Sequence, residues 1–571
     1  MIALPGATCI GSFLSVAIPL RPVAIAAVVL LAIFLPGIGQ KWFARIESTS
    51  SRLAQHAVAS LFVLPLSVML LRLCLLPWLR VPIPGIHDAF SYLLLADTFA
   101  HGRLSNPPPP MWISFETFHV NWLPTYHSMY PPAQGFALAI GQLLGHPWIG
   151  ALLSDAAMSA AIFWMLRAWV PARWAFLGGA LAGIKFGIAS YWMNSYWGGA
   201  VATIGGALVL GSVARIVKQQ PRIRYATLLG VGLAILANSR PYEGFVFAIP
   251  AGIWLLVWFS RQANSRDALR PALSRVAAPV LAILMGTAAF MGYYNWRTTG
   301  NPLLMPHTLN TRTYHSVGMF LWQHASPEKQ YRNEQFEEFY NDWERNNYRN
   351  TWADVRRVSW EKIQRYSSAY LWLGLLLILP ALPFALRDRK MRLPWITLAF
   401  GAFAVFSVIW SNAHYAAPFT CAVYLLIVQA IRHLRTMRKP YGVALSRAVV
   451  VLLVLDVAAI VRLHRCDPLT WTCEGDVSRF AVIDKLSQQP GKHLIMVRYH
   501  EEEHNIHDEW VYNAADIDHA KIIWARELDA RQNRKLFNYY SDRQIWLVTP
   551  DSDNTYLAPY TPPGVPLQES Q

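Results

Sequence analysis

Asp88 stands in the run His87-Asp88-Ala89-Phe90-Ser91-Tyr92, just after Pro82, Pro84 and Gly85 and at the border of a long apolar stretch. A carboxylate at such a border is partly desolvated, which suits it to taking a proton from a hydroxyl. The competing reading is structural, because Asp88 could instead cap a helix running from Ala89 to His101. Arg240, Arg297, His307, Arg312 and His414 lie at similar borders. Guanidinium groups bind phosphate in bidentate fashion, so these positions offer cations to an anionic headgroup beside the candidate base. Glu243, Lys185 and Asp155 fall within or beside apolar stretches; Glu243 can pair with Arg240, and Lys185 can reach a polar surface along its stem.

These residues sit in six short motifs that interrupt an apolar chain. Besides the Asp88 run, they are Asn194 to Gly199, Asn238 to Gly244, Asn295-Trp296-Arg297 with Gly300-Asn301-Pro302, His307 through His315, and Trp410 to Tyr415. Of the 571 residues 54% are hydrophobic and 15% charged, and the apolar ones recur in blocks of bilayer-spanning length. That pattern describes an α-helical polytopic membrane protein. The net charge of +16 would suggest nucleic acid if it were spread over one face. It is concentrated instead in short loops, Lys41–Arg52, Arg167–Arg173, Arg215–Arg224, Arg261–Arg275, Arg387–Arg392 and Arg432–Arg447, which the positive-inside rule assigns to the cytoplasm. No nucleic-acid partner is expected; the partner is the lipid bilayer.

Joining these loops to the motif-bearing segments requires about twelve transmembrane helices, near 23–39, 56–78, 148–166, 173–190, 198–215, 225–238, 243–259, 275–294, 366–386, 393–410, 415–431 and 447–462. All six motifs then fall on the non-cytoplasmic side. The stretch 131–146 is read as interfacial or re-entrant, because a full crossing there would break the alternation. The expected organisation is an N-terminal apolar segment and first helix over 1–55, a transmembrane domain over 56–462 with outer loops 79–130 and 295–365, and a small C-terminal extramembrane α/β domain over 463–571. Residues 1–22 lack the charged start and cleavage site of a signal peptide. Glu328 to Arg365 alternates charge with Trp343, Tyr348, Trp352 and Trp360, which suits amphipathic helices on the membrane surface or a solvated lid. The tail carries strand-like runs at His493–Tyr499, Glu509–Tyr512, Lys521–Trp524 and Gln544–Val548.

Cys466 and Cys473 lie beyond the last helix on the oxidising side, where a local disulfide is plausible, whereas Cys9, Cys74 and Cys421 read as small apolar residues. His500-Glu501-Glu502-Glu503-His504 matches the H-E-x-x-H zinc-protease pattern. That chemistry needs a helix, and here the run follows a strand-like segment and leads into a loop. A metal site using His500, His504 and His507 and a solvated acidic loop are the other readings of the same residues.

The runs HDAFSYLLLADTFAHGRLSNPPPPMW, YPPAQG, SYWMNSYWGGA, NSRPYEG, YYNWRTTGNP and HYAAPFT together resemble bacterial members of the GT-C superfamily of membrane glycosyltransferases, related to protein O-mannosyltransferases and to the aminoarabinose transferase of lipid A. The resemblance covers roughly residues 60 to 560. It implies a polyprenyl-phosphate sugar donor and Asp88 as catalytic carboxylate; the positions at apolar borders then place Arg240, Arg297 and His414 on the donor phosphate and Tyr92, Tyr196, Trp197 and Tyr415 around the sugar or acceptor. Ala89 stands where protein mannosyltransferases carry Glu, which weakens the case for a protein acceptor and leaves Glu116 or Asp97 as a second acid or metal ligand. A divalent metal is left open as cofactor, and the acceptor is open among lipid, glycan and protein. The expected location is the bacterial inner membrane with the site facing the periplasm. A transporter or flippase of an anionic or lipid-linked substrate is the alternative, with midplane sites in corresponding halves as its sign.

Overall fold

A computed structural model describes residues 14–348, 351–462, 477–499, 507–550 and 556–560. Twelve helical segments stand where apolar blocks occur: Leu14–Phe34, Ala57–Cys74, Pro147–Leu166, Ala172–Gly187, Ala200–Lys218, Ile223–Ser239, Pro241–Gln262, Arg266–Thr299, Leu373–Arg387, Arg392–Ser407, Ala413–Thr436 and Tyr441–Arg462. Seven of them are long and apolar enough to cross a membrane by themselves, or eight if the bent pair Trp352–Tyr370 and Leu373–Arg387 forms one span. The chain is therefore a multi-pass membrane protein. The expected twelve spans are not matched helix for helix, because Ala172–Gly187 and Arg392–Ser407 have 16 residues each and Ile223–Ser239 has 17. A crossing of the hydrocarbon core takes about 20 residues at 1.5 Å each.

The helices begin where the sequence pre-sets them. Pro132, Pro147, Pro241 and Pro306 occupy first-turn positions, where the missing N–H costs no hydrogen bond. Small residues then let the helices approach. A Cβ on Gly141 would lie 2.2 Å from the backbone nitrogen of Gly150, and one on Gly206 would lie 2.0 Å from the Pro418 carbonyl oxygen. Such contacts replace the hydrophobic driving force that lipid does not supply.

Two expectations change at this level. The basic stretch Lys41–Arg52 is not a loop but most of the helix Gln40–Gln55. Glu47 on that helix holds Arg435 at 2.8 Å and Arg447 at 2.9 Å, tying it to the last two apolar helices. In the tail, Glu509–Tyr512 is not a strand, because the Glu509 carboxylate accepts the Val511 N–H at 2.8 Å and turns the backbone away from a ladder.

Six strands complete the structure: β1 (Val120–Asn121), β2 (His127–Ser128), β3 (Lys492–Val497), β4 (Ile522–Arg526), β5 (Arg543–Thr549) and β6 (Tyr556–Pro559). The last four form one sheet in the order β4-β3-β5-β6, parallel except for β6. One face of this sheet shares a hydrophobic cluster with the first long loop, in which Leu494, Met496 and Ile523 pack with Phe90, Phe115, Trp122 and Tyr126. The tail is thereby built against the loop that carries Asp88. Cys9, Cys466, Cys473 and the run His500–His504 lie outside the described residues, and Cys74 and Cys421 are unpaired.

Candidate active site

Asp88 is the second residue of the helix His87–Ala100, whose N-cap position is Ile86. The carboxylate does not serve as that cap. Its Oδ1 accepts a short hydrogen bond from the Tyr130 hydroxyl, and its Oδ2 lies 3.8 Å from His119 Nδ1. The helix N-terminus adds a favourable field for its negative charge.

The hairpin β1–β2 brings these partners together. Val120 pairs with Ser128 and Asn121 with His127, so His119 before the first strand meets Tyr130 after the second. Met129 N–H donates to the His119 carbonyl at 3.1 Å, and Ser91 Oγ donates to the same carbonyl at 2.7 Å from the Asp88 helix. His119 takes φ 59°, a left-handed conformation rare for a residue with a side chain. With that turn its ring reaches the Tyr130 hydroxyl at 3.1 Å. Tyr92, one turn on from Asp88, stacks on Tyr130 with centroids 4.3 Å apart and fixes the phenol.

Burial pushes the Asp88 carboxyl above the ordinary carboxylate range, while the Tyr130 hydrogen bond and the charge of Arg240 pull it back. Burial, joined by His87, His315 and His307, holds His119 well below the usual imidazole range, so at pH 7 it is neutral. His307 is held down to about 4, mainly by burial. It therefore does not supply the cation expected of it.

A cavity of about 430 Å³ opens over this group. Asp88, His119, Tyr130, Trp197, Glu243 and Tyr415 line one part of it, and Trp343, Tyr348, Trp410, Glu361, Arg365 and Asn412 another. That volume suits a small ligand or a sugar-sized group. Arg240 sits behind the Tyr415 ring, its Cζ 4.3 Å from the centroid. Burial opposes the Arg240 charge, but Tyr92, Tyr415 and Glu243 raise its pKa further, so it is a permanent cation.

The other candidates divide sharply. Trp197 and Tyr415 line the cavity, and Tyr92 stands behind Tyr130. His414 is buried under them, bonded to the Tyr191 hydroxyl at 3.0 Å and stacked on Tyr415 at 4.8 Å, so it props the ring rather than meeting a ligand. Tyr196 donates to the Pro82 carbonyl at 2.7 Å and is likewise a support. Arg297 is exposed, its guanidinium 3.4 Å from the Tyr293 hydroxyl, and is not among the cavity residues. Glu116 is buried elsewhere, accepting from Tyr314 at 3.0 Å and facing Arg332 at 3.4 Å. Asp97 lies nine residues along the helix from Asp88, about 13 Å at 1.5 Å per residue. It accepts from Gln142 and from the Ala515 N–H, both at 2.7 Å. Neither acid stands beside Asp88. Among the described residues no three His, Cys, Asp or Glu side chains converge on a point.

His119, Tyr130, Trp410, Arg365 and His507 are cavity residues that the sequence patterns did not single out for a role there. Tyr130 does open the YPPAQG run, and the aromatic and histidine density of 112–130 was a usable signal.

The fold is similar to several solved structures. ArnT from Cupriavidus metallidurans bound to undecaprenyl phosphate matches at 12% identity, 85% of this chain and 92% of that chain, with TM-score 0.49. Its apo state gives 14%, 85%, 92% and 0.48. An Archaeoglobus fulgidus oligosaccharyltransferase, in complex with zinc and sulfate, gives 11%, 86%, 67% and 0.45. No protein-family model and no curated protein matches the chain. The functional reading is accordingly carried by the site's own geometry.

Proposed function

We propose that this protein is a membrane glycosyltransferase that moves a sugar from a polyprenyl-phosphate donor to an acceptor hydroxyl, with inversion. The observation that carries the reading is Asp88, its Oδ1 occupied by Tyr130 and its Oδ2 free of that bond, at the wall of a cavity backed by the cation Arg240. Oδ2 takes the proton of the acceptor hydroxyl as its oxygen bonds to the anomeric carbon. The bond from that carbon to the phosphate oxygen breaks, and the phosphate leaves with the electron pair. Arg240 stabilises the negative charge that develops, an electrostatic contribution placed before the reaction begins. Neutral His119 holds the Tyr130 hydroxyl, and Trp197 and Tyr415 flank the sugar.

In this reading all twelve helical segments cross the bilayer of a bacterial inner membrane, the short ones by local thinning, and the Asp88 cavity and the four-stranded sheet lie on the periplasmic side. Hexose or pentose donors both fit a cavity of this size. The test is transfer from radiolabelled polyprenyl-phosphate sugars by purified protein, wild type beside Asp88→Asn. Label transferred by wild type and lost at least 100-fold in the variant is expected. Equal transfer by the two proteins would remove Asp88 from the chemistry, and lipid binding without transfer from any donor would favour a flippase.

A further inference from the structure

The part of the cavity formed by Trp343, Tyr348, Trp410, Glu361, Arg365 and Asn412 has no task in the transfer step itself. We propose that it is an acceptor subsite for a saccharide, so that the hydroxyl activated by Asp88 belongs to a glycan; this rests on the glycosyltransferase reading above.

Its wall is continuous and aromatic. Trp343 and Trp410 have ring centroids 5.3 Å apart, and Tyr348 and Trp410 4.3 Å apart. Sugar rings present apolar C–H faces that cover such surfaces, while their hydroxyls need paired donors and acceptors at the edge. The edge is present. Arg357, Glu361 and Arg365 recur every fourth residue on the helix Trp352–Tyr370, with Arg357 Nη1 at 2.9 Å and Arg365 Nη2 at 3.8 Å from the Glu361 carboxylate. Arg365 also donates to Asn412 Oδ1 at 3.4 Å, and the Asn412 carbonyl accepts from Tyr366 at 2.8 Å. Carboxylate, guanidinium and amide held side by side supply both acceptors and donors to neighbouring hydroxyls.

Other occupants fit less well. An alkyl chain would desolvate Arg357 and Glu361, which are 42% and 36% exposed, without returning a hydrogen bond. A lone phosphate would meet the Glu361 carboxylate between the two guanidinium groups. A peptide backbone finds no strand edge here, since the lining segments are helices and loops.

The experiment uses the full chain in lipid nanodiscs and a panel of fluorescein-labelled neutral, acidic and amino-sugar oligosaccharides, with labelled peptides alongside. Wild type and Asp88→Asn are both expected to bind one class of oligosaccharide, with Kd at least tenfold weaker than wild type in Trp410→Ala and in Glu361→Gln. Glu361 is partly exposed, so its amide variant keeps the test sound if the core variant fails to fold. Binding of peptides in place of oligosaccharides, no oligosaccharide binding by wild type, or binding unchanged in both subsite variants would overturn the proposal. Because Asp88→Asn is read for binding rather than turnover, failure of the subsite is separable from failure of the transfer chemistry.

Discussion

Burial raises the Asp88 carboxyl, and Tyr130 is the nearest group that opposes the rise. Its hydroxyl lowers the carboxyl pKa against the upward push of burial, so Tyr130→Phe should raise it further. The base must be ionised to act, so the acid limb of kcat/KM should move to higher pH in Tyr130→Phe. A pH profile with an unmoved limb would separate Tyr130 from the base. At the same scale, Arg297→Ala should leave turnover within about twofold, because an exposed arginine away from the site contributes little. Arg240→Gln should lower kcat by 100-fold or more by removing the fixed charge, at the scale of losing one preorganised stabilising group. Asp88 could be found in the sequence because an acid at an apolar border is costly and stands out. The density of aromatics and histidines over 112–130 signalled His119 and Tyr130 as a group, but not their meeting with Asp88, since Tyr130 is 42 residues from Asp88 and the register of a short hairpin brings it back. Arg297 and Arg240 look equivalent as helix-end arginines, and side-chain direction alone distinguishes them.

The helix Trp352–Tyr370 has two unlike faces. Trp352, Trp360 and Ile363 are 89%, 59% and 44% exposed, whereas Arg357 and Arg365 line the cavity. It meets the apolar helix Leu373–Arg387 at 96°. If the apolar helix crosses the bilayer, this one lies along its surface, with the tryptophans at headgroup level. A nitroxide at position 352 or 360 in a cysteine-free background should therefore be more accessible to oxygen than to a water-soluble nickel complex, and one at position 361, on the cavity face, less so. Equal accessibility at the three positions would show a solvated lid instead. The alternation of charge and tryptophan made this helix legible in the sequence. The lengths of the bundle helices were less so, because hydropathy averages over ends where helices such as Ile223–Ser239 stop at polar motifs.

At the scale of the molecule, the tail is bonded to the Asp88 loop at several points. Tyr512 holds His87 Nδ1 at 2.8 Å, the Tyr126 hydroxyl donates to the Asn513 carbonyl at 3.1 Å, and buried Arg526 joins the Glu509 carboxylate to Gln335 of the second long loop. Burial alone would raise the Glu509 carboxyl, but Arg526 and the Tyr499 hydroxyl hold it below its usual range. The sign follows from that direction. A carboxyl depressed in the folded state contributes stability above its unfolded pKa and loses it as pH falls through the folded value. Docking of the tail should thus hold at neutral pH and loosen only in acid, below the ordinary carboxylate range. Arg526→Met removes the cation and leaves a buried charge uncompensated, at a cost of about 3–5 kcal/mol. Without Arg526 the Glu509 carboxyl rises, and its neutral form becomes the one that folding favours. The pH dependence should then invert, with the tail better docked in mild acid than at pH 7. Hydrogen exchange of β3 to β5 across that range reads both effects, and a variant whose protection follows the wild-type profile would show that the Arg526–Glu509 pair does not hold the tail.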